Sequence, residues 1–134
     1  MSSTRTSNIV LDAYAWVEYL IGSENGKIVE KYISNSNNRI YTNNVTLSET
    51  ISVVKRRSFD DEAAFKAIVT LSHIYDGDLA FHREVGLLHA HLRKTIKDVG
   101  LADAFVIVTA QKLGAKIITG DSHFKNVDNV IMLR

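Results

Sequence analysis

Cysteine is missing from all 134 residues. The chain therefore has no disulfide framework and no thiolate metal site, which permits a reducing compartment without requiring one. Proline is missing too, and nothing in the sequence accounts for that. No apolar run reaches the roughly 18 residues a membrane span needs. The opening MSSTRTSNIVLDAY lacks the long apolar core of a signal peptide. A soluble, cytoplasmic protein is the expectation. Neither sign of charge dominates, since 16 Lys and Arg stand against 15 Asp and Glu for a formal net charge of +1. That is no polyanion-binding signature for the chain as a whole, although a local basic patch can act alone. At this length the chain fits one domain that buries on the order of two thirds of its unfolded surface.

What is present is an alternation of short apolar runs and helical patterns. Residues 1–7 are polar and read as a loose tail, leaving 8–134 for the domain. NIVLD (8–12) reads as a strand ending in a carboxylate. Ala13, Trp16, Val17, Leu20 and Ile21 then share a helical face before a stop at Gly22. Ile28, Val29, Tyr32 and Ile33 mark a second helix, NSNN (35–38) a turn and RIYT (39–42) a strand. The spacing predicts helices over 45–58, 60–75 and 83–96, with a short third strand in GDLAFH (77–82). LADAFVIVTAQKLG (101–114) is helical and apolar nearly all round, so its burial is expected. KIIT (116–119) and NVIML (129–133) supply the last strands. The strands are short and do not alternate, as when both faces are covered. The expected fold is α/β, with a parallel sheet of about five short strands flanked by helices.

Four acids occupy suggestive places, and each has an ordinary explanation. Asp12 ends a strand and precedes a helix, where Asp caps well. Thr46 and Glu49 match the T-x-x-E capping box. Asp103 lies near the start of its helix on the face of Val106, Ile107 and Ala110, where an ionised carboxylate is costly without a cation or donors. Asp121 sits in Gly-Asp-Ser, a turn. Together they mean more. In a parallel α/β domain the C-terminal ends of strands and the N-termini of the following helices share one edge, the edge where ligands bind. Four carboxylates converging there at ~5 Å, in an effective dielectric of about 20, repel by roughly 3 kcal/mol per pair. They then need protons or a divalent cation, and hard oxygen ligands favour Mg²⁺ or Mn²⁺.

The segments IVLDAYAWVEYL, TLSET, GLADAFVIVTAQKLGAKIITGDSHF and NVIML, in that order and spacing, resemble the PIN-domain ribonucleases, in particular the small VapC-type toxins of toxin–antitoxin pairs. The resemblance runs along almost the whole chain from about residue 8. It implies that Asp12, Glu49, Asp103 and Asp121 form the acidic catalytic quartet that binds metal, and that Thr119 is the polar residue beside it. It also implies a homodimer, an RNA substrate and an antitoxin whose peptide tail covers the site. The expected activity is Mg²⁺-dependent hydrolysis of RNA phosphodiester bonds. Asp12 and Asp103 would be direct or bridging ligands, and Glu49 or Asp121 would orient the attacking water. A PIN nuclease of RNA maturation and a non-catalytic PIN-like module that binds RNA or a partner are the alternatives.

Basic residues must bring substrate to a negative site. Arg56 follows Glu49 by seven residues, two turns or ~10 Å along one helix face. Lys55, Arg56 and Arg57 are thus candidates for phosphates flanking the cut, against the plain reading of a solvated helix end. Arg93, Lys94 and Lys97 read as surface or antitoxin contacts. His89 and His91 point to different sides of a helix, His123 reads as an exposed turn histidine, and Trp16 and the tyrosines read as core or dimer surface. No G-x-G-x-x-G or P-loop occurs. A signalling receiver domain shares the length and plan, but the chain lacks paired acids after the first strand and a mid-chain acceptor Asp.

Overall fold

The computed structural model of the chain describes residues 6–134. Of the expected tail 1–7, residues 1–5 lie outside the described residues, and Ser7 already belongs to the first strand, paired with Asn38. In chain order the elements are β1 (Ser7–Leu11), α1 (Ala13–Ile21), α2 (Glu24–Ser34), β2 (Asn38–Asn43), α3 (Asn44–Arg56) and α4 (Asp61–Leu71). They continue with β3 (His73–Tyr75), α5 (Leu79–Leu92), α6 (Leu101–Leu113), β4 (Lys116–Thr119), a 3₁₀ turn (Ser122–Phe124) and β5 (Val130–Met132). All four strand pairings are parallel, and the sheet order is β3-β2-β1-β4-β5. The chain thus winds outward in one direction from β1 through β2 to β3, then returns to the other side of β1 with β4. The switch point lies between β1 and β4.

Alternate residues of the central strands feed two cores, as the period of two requires. Ile9, Leu11 and Ile118 pack with Trp16, Val29 and Ile68 of α1, α2 and α4 on one face. Val10 and Ile117 pack with Val106, Ile107 and Ala110 of α6 on the other. Burying each such aliphatic side chain stabilises the fold by roughly 1.5–3 kcal/mol. Helix α5 closes over α6 through Phe81, Val85, Ala104 and Val108. Trp16 is fully buried, and its indole N–H is satisfied by Thr42 Oγ1 at 3.0 Å. Helix α6 is buried at Ala104 and from Val106 to Ala110, as its unbroken apolar pattern requires. Gly22 ends α1 in the left-handed conformation that glycine adopts without strain.

Two expectations fail in the middle of the chain. The helical periodicity continues through Tyr75, but α4 stops at Leu71 and His73–Tyr75 forms β3. The open edge of β2 offers this segment a ladder, in which Tyr41, Thr42 and Asn43 pair with His73, Ile74 and Tyr75. Ser72 makes the break: its hydroxyl donates to Ile68 O, and its oxygen lies 2.7 Å from Thr42 Oγ1. The segment 77–82 is not a strand. Asp78 caps α5 by accepting from Phe81 N at 2.9 Å, so this helix begins at Leu79 and ends at Leu92 rather than spanning 83–96.

Candidate functional site

The C-terminal ends of β1 and β4 lie side by side at the switch point, the place where open α/β sheets bind ligands. Asp12 follows β1, and Gly120 and Asp121 follow β4. Asp12 is 6 % exposed. One of its carboxylate oxygens accepts from Ala15 N at 2.9 Å, so the N-cap reading of this residue is correct as far as it goes. The other accepts from the hydroxyl of Thr119, which is fully buried. Thr119 Oγ1 in turn accepts from Asp121 N at 2.9 Å. One hydroxyl thereby locks the two strand ends together.

Burial pushes the Asp12 carboxyl up to about 7. The bonds from Thr119 and Ala15 oppose the rise, and the charges of Asp121 and Asp103 add to it. Glu49 is raised chiefly by burial and then by the charges of Asp103 and Asp121. Asp103 is raised by burial and by Asp121, against the lowering effects of Gly100 N–H and His123. The four acids thus share one electrostatic environment, although they are spread over 110 positions of sequence.

The local explanations of these acids fare differently. Asp103 accepts from Gly100 N at 2.9 Å and does help cap α6. Asp121 accepts from His123 N at 2.9 Å and starts the 3₁₀ turn. The capping box at Thr46 and Glu49 is absent. Asn43 caps α3 through Val45 N, which puts Glu49 in the second turn, not the first. Its carboxylate is therefore free of a capping role.

His123 was read as an exposed turn residue, and that reading is corrected. Its Nδ1 lies 3.3 Å from Asp103 Oδ2 and 3.2 Å from Asp121 Oδ1. That nitrogen is buried and has no hydrogen-bond partner of good geometry among the described residues. Asp103, Asp121 and His123 each offer a ligand atom, all within 4.8 Å of one another. Two carboxylates with one imidazole and no thiolate suit a divalent cation of the harder kind. The two-residue spacing from Asp121 was the available sequence signal for His123.

The basic triplet at the end of α3 divides. Lys55 pairs with Asp61 at 3.3 Å on the surface. Arg56 donates to Ser52 Oγ at 3.3 Å. Arg57 lines a groove of about 260 Å³ between α1 and α3 that also contains Glu49 and Tyr14. A second groove of about 220 Å³ starts at His123 and runs past Ile96, Ser122, Lys125 and Asn126. Glu49 lines the first groove and His123 the second, and each groove also carries a cation.

The fold is a doubly wound parallel domain with acidic side chains gathered at its switch point, the edge where such sheets bind ligands. The family model for the PIN domain matches residues 9–130, and the chain belongs to that family. Its fold is shared with the VapC20 toxin of Mycobacterium tuberculosis, described as cleaving the sarcin–ricin loop. That similarity has a TM-score of 0.75 at 17% identity and covers 94% of this chain and 99% of that one. It is similar to VapBC-1 of nontypeable Haemophilus influenzae (TM-score 0.67, 21% identity, 93% and 96% covered). It is also similar to the DNA-bound VapBC of Salmonella typhimurium (TM-score 0.70, 19% identity, 95% and 97% covered). No curated protein sequence matches the chain. Among the described residues no helix is long and apolar enough to cross a membrane.

Proposed function

We propose that this protein is a metal-dependent endoribonuclease and the toxin of a VapBC-type pair. What supports the reading is the close group of Asp103, Asp121 and His123 at the β1/β4 switch point, with Asp12 and Glu49 near enough to feel the charges of Asp103 and Asp121. Family membership supports nuclease chemistry, and the VapBC complexes among the similar structures support an antitoxin partner.

Asp12 and Asp103 would hold Mg²⁺ or Mn²⁺ directly, Asp121 and His123 would complete the donor set, and Glu49 would reach the ion through water. A divalent cation so held lowers the pKa of bound water and offsets charge on the phosphodiester. The protein's own groups prepare the site for this. Thr119 and Ala15 each donate to one oxygen of Asp12 and leave each oxygen a further lone pair. Glu49 has no capping bond to break, and its raised pKa suits a group that orients the attacking water and takes its proton. Arg57, in the groove of Glu49, and Lys125, in the groove of His123, bind phosphates on either side of the cut. The protein works in the cytoplasm as a homodimer, and exposed Phe65 and Val69 on α4 are apolar surface available to the second copy.

Incubation of the purified protein with single-stranded and structured RNAs tests the proposal. Cleavage is expected with Mg²⁺ or Mn²⁺ and is expected to stop with EDTA or with Asp103→Asn. Metal-independent cleavage, or full activity of that variant, would refute it.

A further inference from the structure

Tyr14 stands at the rim of the acidic pocket and belongs neither to the core nor to the acid group. It is the second residue of α1, two positions after Asp12, and is 39 % exposed. Its ring lies against Gly120, between Thr119 and Asp121. A Cβ at that position would come 2.2 Å from Tyr14 Cε1 and 2.5 Å from its Cζ. Glycine at the end of β4 is what lets an aromatic ring rest on the backbone that carries Asp121. Asn25 Nδ2 stands 3.5 Å from Tyr14 Oη, at the outer limit of hydrogen bonding.

The same ring lines the groove between α1 and α3, whose walls include Val17 and Val53 and also Glu18, whose carboxylate accepts from Ser23 Oγ at 2.7 Å. Glu49 belongs both to this groove and to the acid group, so a chain held at the acids continues into the groove. The volume of about 260 Å³ is below that of sites for drug-sized ligands and suits one planar group. Arg57 supplies a cation at the same groove. It has no carboxylate partner among the described residues, and its guanidinium lies 5.9 Å from the Phe59 ring centroid.

An exposed aromatic face, apolar walls and an uncommitted guanidinium beside a phosphodiester site are the parts with which proteins bind unpaired nucleotides. We infer that this groove is a nucleobase subsite, in which Tyr14 stacks on an unpaired base next to the scissile phosphate and Arg57 meets the flanking phosphate. The inference rests on the ribonuclease reading above and goes further, by naming the side chains that hold the nucleotide beside the cut.

The test uses Tyr14→Leu, which keeps an apolar side chain over Gly120, and Tyr14→Phe, which keeps the ring. On an RNA that the wild type cleaves, Tyr14→Leu is expected to raise KM roughly tenfold with little change in kcat, and Tyr14→Phe to recover most of that loss. In the non-cleaving Asp103→Asn background, a fluorescein-labelled uridine decamer is expected to bind roughly tenfold more weakly when Tyr14→Leu is added. The same decamer with abasic positions is expected to lose that difference. If Tyr14→Leu leaves KM and decamer affinity unchanged while the wild type cuts RNA, the subsite is overturned and the nuclease reading stands. If Tyr14→Leu weakens only inhibition by a protein partner, the groove is a peptide site and the inference is wrong. If the wild type neither binds nor cuts RNA, both readings fall. Thermal melting shows whether each variant is folded.

Discussion

The hydroxyl of Thr119 donates to the carboxylate of Asp12, joining residues 107 positions apart in sequence. The same oxygen accepts from Asp121 N–H. A buried acid whose own burial favours its protonated form is thereby held in place at the mouth of the sheet, and the loop that carries a second acid is fastened to it.

Thr119→Val removes that oxygen while keeping the shape. Asp12 loses a donor and Asp121 N–H loses its acceptor. The expected loss of stability is about 1–3 kcal/mol, read from denaturant midpoints. Cleavage falls roughly tenfold, the effect of losing a group that orients a ligand. Thr119→Ser, which keeps the hydroxyl, is expected to restore most of both.

Asp12 makes the metal-free protein sensitive to pH with a definite sign. Its folded pKa of about 7 lies above the ordinary value of 3.8. The folded state therefore holds the proton more tightly than the unfolded chain does. The stabilisation is fully present below 3.8 and is lost as pH rises through about 7. The span corresponds to on the order of 4 kcal/mol at most. Asn caps a helix as well as Asp does, so Asp12→Asn is expected to fold, to cut RNA at least ~100-fold more slowly, and to lose this pH dependence. The check is the difference in Tm between wild type and variant from pH 4 to pH 8 in EDTA. A constant difference would contradict the assignment.

Adding cation should reverse the same trend. Glu49 and Asp103 are raised in the same direction as Asp12, by burial and by one another's neighbours. Millimolar Mg²⁺ or Mn²⁺ is expected to raise Tm at pH 8 and to raise it less at pH 4, where protons compete with the cation for Asp12, Glu49 and Asp103, all held above their ordinary values. Calorimetry on wild type and Asp103→Asn measures the binding directly. The variant is expected to bind at least ~10-fold more weakly.

His123→Ala removes the imidazole between Asp103 and Asp121. Affinity for Mn²⁺ is expected to drop more than affinity for Mg²⁺, since imidazole nitrogen prefers the transition metal. Cleavage measured against metal concentration then shifts to higher Mn²⁺ with a smaller change for Mg²⁺. Equal curves for wild type and variant would remove His123 from the site.

Much of this protein follows from local chemistry. The apolar runs at 8–11 and 116–119, the helical faces of α1, α2 and α6 and the stop at Gly22 are where periodicity puts them, because side-chain spacing and caps act over a few residues. That Asp12 and Asp121 follow strands was legible for the same reason. Local chemistry misleads where a distant partner competes. Residues 73–75 carry a helical pattern, yet the unpaired edge of β2 draws them into the sheet. Thr46 and Glu49 spell a capping box, yet Asn43 takes the cap three residues earlier.

The sequence by itself determined the alternation of strands and helices and the supply of acids at their junctions, since those depend on neighbours along the chain. Only the tertiary structure decided that β4 returns beside β1. That pairing sets Thr119 against Asp12, places His123 between two carboxylates and lays Tyr14 over Gly120. Burial and charge depend on distance in space rather than along the chain, so the carboxyl pKa values and the shape of the groove arise only once the sheet has formed.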